Sequence, residues 1–411
     1  MRAIRNLIPV VLMLGLGLPN IGHSQEIKTK FLPNGVTGKV GGYRPNRAAM
    51  DLEAVNAGIV PDGLEAPKFG KFEIGEKSWS FVLDEPKEAP AKLYIDTNGD
   101  GDLTNDPETV WEAKEQGEFK MYQGTGQIAL DGENIGTLGL YRFDPNDESR
   151  EALKNTMMFY LDFGYEYSFA LDGKDLSTFV AGNLEEGGRL PIDRDGNGQV
   201  SSHFETATIG KPFNFTGTTF VFNLLDGALS LGKAGEELPQ MQMPPNLKIG
   251  EPALTFSAET MDGTKIDFPG HYAGKIVMLD MWATWCGPCI DEIPHMKEAY
   301  GDWHDKGFEI LGVTLDDEGM TEKVNEFLKE HEITWPQIYQ GKSWEVDIAV
   351  QHDVSGIPFV LLIDGDSGKI LANATQLRGE KLSEFIGEQL ELKKGTSAGA
   401  DSKKTDSGDG R

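Results

Sequence analysis

Cys286 and Cys289 are the only cysteines in the 411 residues, and Gly287 and Pro288 separate them. This spacing lets the second sulfur reach the first within one helical turn. An apolar run over 275–282 ahead of the pair reads as a strand. Behind it, Ile293, Met296 and Tyr300 recur at helical spacing, so 290–306 reads as a helix. Cys286 therefore falls at or just before a helix start, where free backbone N–H groups and the helix dipole favour an anion. Such a position lowers a thiol pKa from ~8.5 toward ~7 or below. The resulting thiolate attacks a disulfide, and Cys289 resolves the mixed disulfide. Pro288 suits an early helical position, where a missing N–H costs little. Zinc would need two further ligands, and the seven histidines are scattered. A purely structural bridge across so short a loop adds little stability.

The rest of the chain supplies no disulfide framework, since a secreted scaffold of that kind carries several spaced pairs. The length implies two or three domains. The aromatic content, Phe 21 and Trp 7, is ample for buried cores. The net charge of -28 repels nucleic acid and anionic lipid, keeps the chain soluble and attracts divalent cations. No nucleic-acid partner is expected. No haem, flavin or nucleotide motif is present, so no organic cofactor is expected.

Arg2 and Arg5 precede an apolar run over 7–18, and Gly22, His23 and Ser24 follow as small residues for cleavage. This reads as a signal peptide over 1–24. The run is shorter than the ~20 apolar residues of a membrane span. No cysteine follows at which a lipid could be attached. The processed protein is expected to be exported, periplasmic or otherwise extracytoplasmic, and not membrane-spanning.

Two kinds of element must position the chemistry. From 69 to 238, β-rich runs alternate with Gly, Asn and Asp clusters: 78–83, 91–95, 119–122, 137–143, 158–163, 167–171 and 213–223. A short helix is expected near 152–155. The pattern predicts a mostly antiparallel β domain over 25–240. A faint repeat runs through it: Trp79-Ser-Phe-Val-Leu-Asp84 resembles Tyr167-Ser-Phe-Ala-Leu-Asp172. Gln240-Met-Gln-Met-Pro-Pro245 reads as part of a stiff linker over 241–247. From 248 to 393 strands (275–282, 308–315, 359–363, 370–374) alternate with helices (290–306, 321–331, 380–392), an α/β order. The tail over 394–411 is rich in Gly, Ser, Lys and Asp, which predicts disorder.

Asp280-Met-Trp-Ala-Thr-Trp-Cys-Gly-Pro-Cys289 resembles the active-site strand–turn–helix of thioredoxin-like proteins. Lys248-Ile-Gly-Glu-Pro-Ala253, Trp282-Ala-Thr-Trp285 and Gly312-Val-Thr-Leu-Asp316 point to the TlpA/ResA branch of extracytoplasmic thiol–disulfide oxidoreductases. The resemblance spans about 247–392 and leaves 25–240 uncovered. It implies an α/β thioredoxin-like fold and protein substrates that carry disulfides. It also implies a membrane-embedded electron donor for regeneration. Pro358 matches the cis-proline that faces the cysteines. Ile357, just before it, is left free to pair with substrate, and Trp285 flanks the pair on the substrate side. Pro294 matches the proline that kinks the active-site helix. Asp280 matches the buried acid that moves the resolving cysteine's proton, and burial should raise its pKa. Glu292 matches the active-site Glu of the ResA branch. Thioredoxin has a lysine near its buried acid, but 310–315 here has none. Asp280 is thus left to titrate higher or to be served by water.

Asp96, Asn98, Asp100 and Asp102 place oxygen ligands at alternate positions, as do Asp193, Asp195, Asn197 and Gln199. Gly101 and Gly198 follow the third ligand and permit the sharp turn. This is the first half of an EF-hand calcium loop. The usual twelfth-position Glu is absent; Glu108 and Glu205 stand one residue later. Strand-like flanks favour a β-framed loop with a structural Ca²⁺. Plain Asn/Gly/Asp turns are the alternative.

These readings converge on a protein-disulfide reductase with a calcium-loop β domain. The Gly-Pro spacer lacks the histidine with which oxidising relatives stabilise the thiolate. Rival expectations are a disulfide oxidase or isomerase, and a calcium-stabilised protein-binding module with incidental cysteines. A Cu(I) carrier using Cys with Met241 and Met243 has no other support.

Overall fold

The computed structural model describes residues 27–53, 57–107, 109–116 and 119–404. The expected signal peptide and Glu108 lie outside the described residues. The chain forms two compact units: one runs to Val200 and resumes over Glu205–Gln242, the other comprises Ser201–Phe204 and the residues from Met243 on.

The first unit is built from antiparallel ladders. A five-stranded sheet runs in the order Asn46–Ala49, Thr156–Leu161, Ile135–Phe143, Phe119–Ala129, Val110–Gln116. Three-stranded sheets are formed by Pro67–Ile74, Lys77–Asp84 and Lys92–Ile95, and by Lys28–Leu32, Gly164–Leu171 and Lys174–Ala181. The two halves of the sequence repeat are the central strands of these two sheets. Trp79, Phe81 and Leu83 of the first enter one core, and Tyr167, Phe169 and Leu171 of the second enter another. The likeness stops there. Lys92–Ile95 pairs with its motif strand, whereas Arg189–Pro191 pairs with Thr206–Thr208.

The run 213–223 is a hairpin rather than one strand. Asn214 Oδ1 accepts the Gly217 N–H at 2.8 Å, and Gly217 turns the chain at φ 117°. Strand Phe220–Leu225 then pairs with both Pro212–Phe213 and Ala228–Lys233. In place of a helix near 152–155, a 3-10 turn covers Glu148–Leu153, started by the Asp147 side chain on the Ser149 N–H.

The second unit begins with a hairpin, β1 (Phe256–Glu259) and β2 (Lys265–Phe268). Its central sheet contains β3 (Ile276–Trp282), β4 (Phe308–Thr314), β5 (Gln337–Tyr339), β6 (Phe359–Asp364) and β7 (Ile370–Asn373). The order is β5-β4-β3-β6-β7. β3, β4 and β5 run parallel, and β6 and β7 are antiparallel to their neighbours. Every residue of β3 and β4 is buried, as continuous apolar strands covered on both faces require. Val277, Leu279 and Met281 enter one core, and Ile276 and Met278 enter the core beneath helix α1 (Gly287–Trp303). Helices α2 (Thr321–Glu330) and α3 (Asp347–Gln351) follow.

Helix α4 runs over Leu382–Lys404, past the predicted helix end at 392 and into the segment predicted to be disordered. Lys393, the first residue past that limit, pairs with Asp364 and Asp366 between β6 and β7.

Leu279 is fully buried in the central strand. Leu279→Ala should cost about 2–5 kcal/mol. A lowered midpoint in urea, read by circular dichroism, checks this.

Candidate active site

β3 delivers the chain to the N-terminus of α1, and Cys286 is the capping residue there. Its backbone is extended (φ -90°, ψ 95°), and its Sγ accepts the Cys289 N–H at 3.2 Å. Cys286 and Cys289 are joined in a disulfide, so this is the oxidised form. When reduced, a Cys286 thiolate would face the same N–H. Pro288 sits in the first turn and Pro294 lies inside the helix. The turn between β3 and Cys286 is held from β4's end: buried Asp316 accepts the Thr284 N–H at 3.0 Å and the Thr284 hydroxyl at 2.6 Å. Asp316 ends the run Gly312-Val-Thr-Leu-Asp316, but only the fold gives it this task.

Period-two alternation puts Asp280 on the face of β3 that carries Ile276 and Met278, under α1. Burial pushes its pKa up to about 7; Arg378 opposes the rise and Glu292 adds to it. Asp280 and Cys289 line one cavity of about 10 Å³, together with Trp282, Met296, Trp335 and Gln337. That is room for a single water. Gln337 is fixed by the Trp282 Nε1–H at 2.9 Å. Glu292 reaches away from α1 and accepts the Gly379 N–H at 2.8 Å.

The Ile357–Pro358 peptide is cis. Ile357 packs on the apolar cluster that contains both cysteines. The cysteines are buried, while the neighbouring Trp285 is 48% exposed and lies 6.0 Å, centroid to centroid, from Trp344. Trp344 is distant in sequence and no local pattern marks it. The fold thus brings together Cys286, Cys289, Asp280, Glu292, Pro358, Ile357 and Trp285.

The Asp-rich loops lie in the other unit and share one geometry. Asp96 accepts the N–H groups of Gly99 and Gly101 at 2.8 and 3.0 Å; Asp193 accepts those of Gly196 and Gly198 at 2.7 and 2.9 Å. Asn98 and Asp100 bond to each other and to Asn105, and Asp102 takes the Thr104 hydroxyl. In the second loop Asn197 bonds Asp195, and Asn197 Oδ1 accepts the Gln199 N–H. Ligand oxygens of Asp193, Asp195 and Glu205 lie within 4.8 Å of one another. Glu205 is buried and accepts the N–H groups of Arg194 and Asp195. In the first loop Asp106, passed over in the sequence, bonds the Thr97 N–H at 2.9 Å. Burial raises its pKa, and nearby Asp96 adds to this.

Residues 249–374 match the AhpC/TSA family. The chain is 33% identical over 144 residues to thiol-disulfide oxidoreductase ResA of Bacillus thuringiensis subsp. konkukian (strain 97-27), a match covering 35% of this chain and 78% of that protein. ResA of Bacillus subtilis (strain 168) is 29% identical over 133 residues, covering 32% and 70%. Among solved structures, the thioredoxin domain of a thiol-disulfide oxidoreductase from Bacteroides vulgatus is 27% identical, covers 35% of this chain and 99% of its own, and has a TM-score of 0.32. A buried disulfide at a helix N-terminus, a cis-proline loop and this likeness over most of ResA place the chain, through its C-terminal unit, in the ResA family of thiol–disulfide oxidoreductases.

Proposed function

We propose that this protein reduces protein disulfides outside the cytoplasm. The observation that carries the reading is the Cys286–Cys289 pair at the N-terminus of α1, with Asp280 and Cys289 sharing one cavity. In the reduced enzyme the Cys286 thiolate attacks one sulfur of a substrate disulfide. The Cys286–substrate disulfide forms, and the other substrate sulfur leaves as a thiolate that takes a proton from solvent. Cys289 then passes its proton to Asp280 and attacks Cys286 Sγ. The second substrate sulfur leaves and recovers that proton. Two electrons have moved, the substrate holds two thiols, and the enzyme holds the Cys286–Cys289 disulfide. A dithiol donor, membrane-embedded by analogy with the family, reverses the last state.

The spacer supports this direction. Gly287 and Pro288 offer no cation to the Cys286 thiolate, so the reduced form gains little beyond the helix N-terminus, and the potential stays low. Pro358, Ile357 and Trp285 form the surface on which an extended substrate segment pairs. The 1–24 segment supports export. Among the described residues no helix is long and apolar enough to cross a membrane.

A structural Ca²⁺ in the N-terminal unit is the companion reading. Asp193, Asp195, Asn197, Gln199 and Glu205 supply oxygen atoms in the second loop, and the convergence of three carboxylates favours it. Asp96, Asn98, Asp100 and Asp102 are the matching set in the first, with Asp106 beside Asp96.

Equilibration against glutathione and dithiothreitol should give a potential near roughly −270 mV or lower; a value above about −180 mV would overturn the reductase reading in favour of an oxidase or isomerase. Cys286→Ser should abolish insulin reduction, and Cys289→Ser should trap the mixed disulfide. A parent that reduces no disulfide, with protein binding that survives Cys286→Ser, would instead mark a binding module.

Asp280 also sets a pH dependence of stability. An unfolded Asp titrates near ~3.9, whereas in the fold this one is pushed up to about 7. Between those values the folded state holds a proton that the unfolded state has lost. The stability from that proton is full below the unfolded value and is lost as pH rises through the folded one. Asp280→Asn should therefore raise the melting temperature over the parent at pH 8 and not at pH 4. Equal effects at both pH values would contradict a buried ionisable acid.

Calcium bound only by the folded state stabilises by about 2.7 kcal/mol at a hundred times Kd. EGTA should lower the melting temperature, and Glu205→Gln should weaken the calcium response. A melting curve indifferent to chelator would remove the metal from the reading.

A further inference from the structure

We propose that Arg378 is a positioning residue of the dithiol site: it ties the cis-proline loop to α1, the helix that carries the cysteines. This rests on the reductase reading above and goes beyond it, because Arg378 lies far in sequence from the cysteines and belongs to no motif quoted for them.

Three contacts fix the segment that carries it. Leu377 and Leu382 are buried in the core beneath α1. Between them, Gly379 adopts φ 70° and gives its N–H to Glu292 of α1 at 2.8 Å. Arg378 is thereby held in extended backbone, φ -141° and ψ 153°. Its Nη2 donates to the carbonyl oxygen of Pro358. That carbonyl belongs to the loop expected to pair with substrate, so the guanidinium sets where the loop stands relative to α1. A planar fork can hold a carbonyl with one nitrogen while its delocalised charge acts on a second group.

The second group is Asp280. Its ladder partners are Gly312 on β4 and Val360 on β6, neither of them ionisable. From β5 comes Gln337, which is neutral, and from α1 come Cys289 and Glu292. Arg378 favours the ionised carboxylate against burial, and Glu292 disfavours it. The strand 308–314 offers no lysine or arginine, so the cation arrives instead from the segment after β7. An ionised Asp280 is the form that accepts the Cys289 proton. Losing Arg378 should therefore loosen the loop and make Asp280 a base only at higher pH.

The test compares full-length parent, Arg378→Lys and Arg378→Met, each also in an Asp280→Asn background, in insulin reduction from pH 5 to 9. Arg378→Met should raise KM several-fold and move the low-pH midpoint of kcat up by about one pH unit. In the Asp280→Asn background the midpoint shift should vanish while the KM effect stays. Arg378→Lys should keep the parent's midpoint and still raise KM. Parental KM and midpoint in a natively melting Arg378→Met would overturn the proposal, as would a midpoint shift that persists without Asp280. If Arg378→Met does not fold, Arg378→Lys decides: raised KM with the parent's midpoint supports the role, and unchanged KM overturns it. Should the parent itself reduce no disulfide, the reductase reading fails on its own. Arg378 is then judged by ¹³C NMR titration of the Asp280 carboxyl, where a rise in Arg378→Met with none in Arg378→Lys supports it and no rise in Arg378→Met overturns it.

Discussion

The C-terminal unit depends on one constraint, the burial of β3 on both faces. A strand in that position cannot shift register by one residue without exchanging its two cores. Its end is therefore fixed, and with it the point at which the chain enters α1. Cys286 becomes the capping residue because β3 ends at Trp282 and Asp316 holds Thr284 in the turn between. The same register obliges Asp280 to face α1 from inside the sheet. A carboxylate there is costly unless it is neutralised or compensated. Both remedies are present: burial raises its pKa, and Arg378 acts from outside the sheet.

The acid-rich composition serves more than solubility. Carboxylates recur as acceptors for loop backbone. Asp84 takes the N–H groups of Glu65 and Ala66, and Asp162 takes those of Gly35 and Thr37. Asp96, Asp193 and Asp316 do the same in their own turns. Each satisfies donors that a turn would otherwise leave to water. In a unit of short strands and many loops, such side chains do the work that longer ladders do elsewhere.

Much of the C-terminal unit was legible because its signals are local. Apolar runs, helical spacing and the cysteine pair lie within single elements, and apart from the end of α4 the bounds of the elements predicted there fall within a few residues of those observed. The antiparallel character of the N-terminal unit was legible too, but several strands were not. Lys28–Leu32, Pro67–Ile74 and Lys174–Ala181 are half-exposed and carry lysines that blur the alternation. The run 213–223 misled because Asn214 and Gly217 make a turn inside a β-rich composition. The site was partly legible for the same reason. Asp280 and Glu292 are a strand and a helical turn away from the cysteines, whereas Arg378, Gln337 and Trp344 come from other elements. Tertiary contacts of that kind leave no period to read.

The capping role of Cys286 has a further consequence. A helix N-terminus is normally closed by a hydroxyl, amide or carboxylate oxygen. Here a sulfur closes it, and a thiolate is a better acceptor than a disulfide sulfur. The helix and the redox couple therefore share one bond in a thermodynamic cycle. Whatever strengthens the N-terminus of α1 in the reduced form raises the reduction potential by the same free energy, and whatever frays it lowers the potential. The difference in helix stability between the two redox forms and the oxidising power of the protein become two measurements of a single quantity.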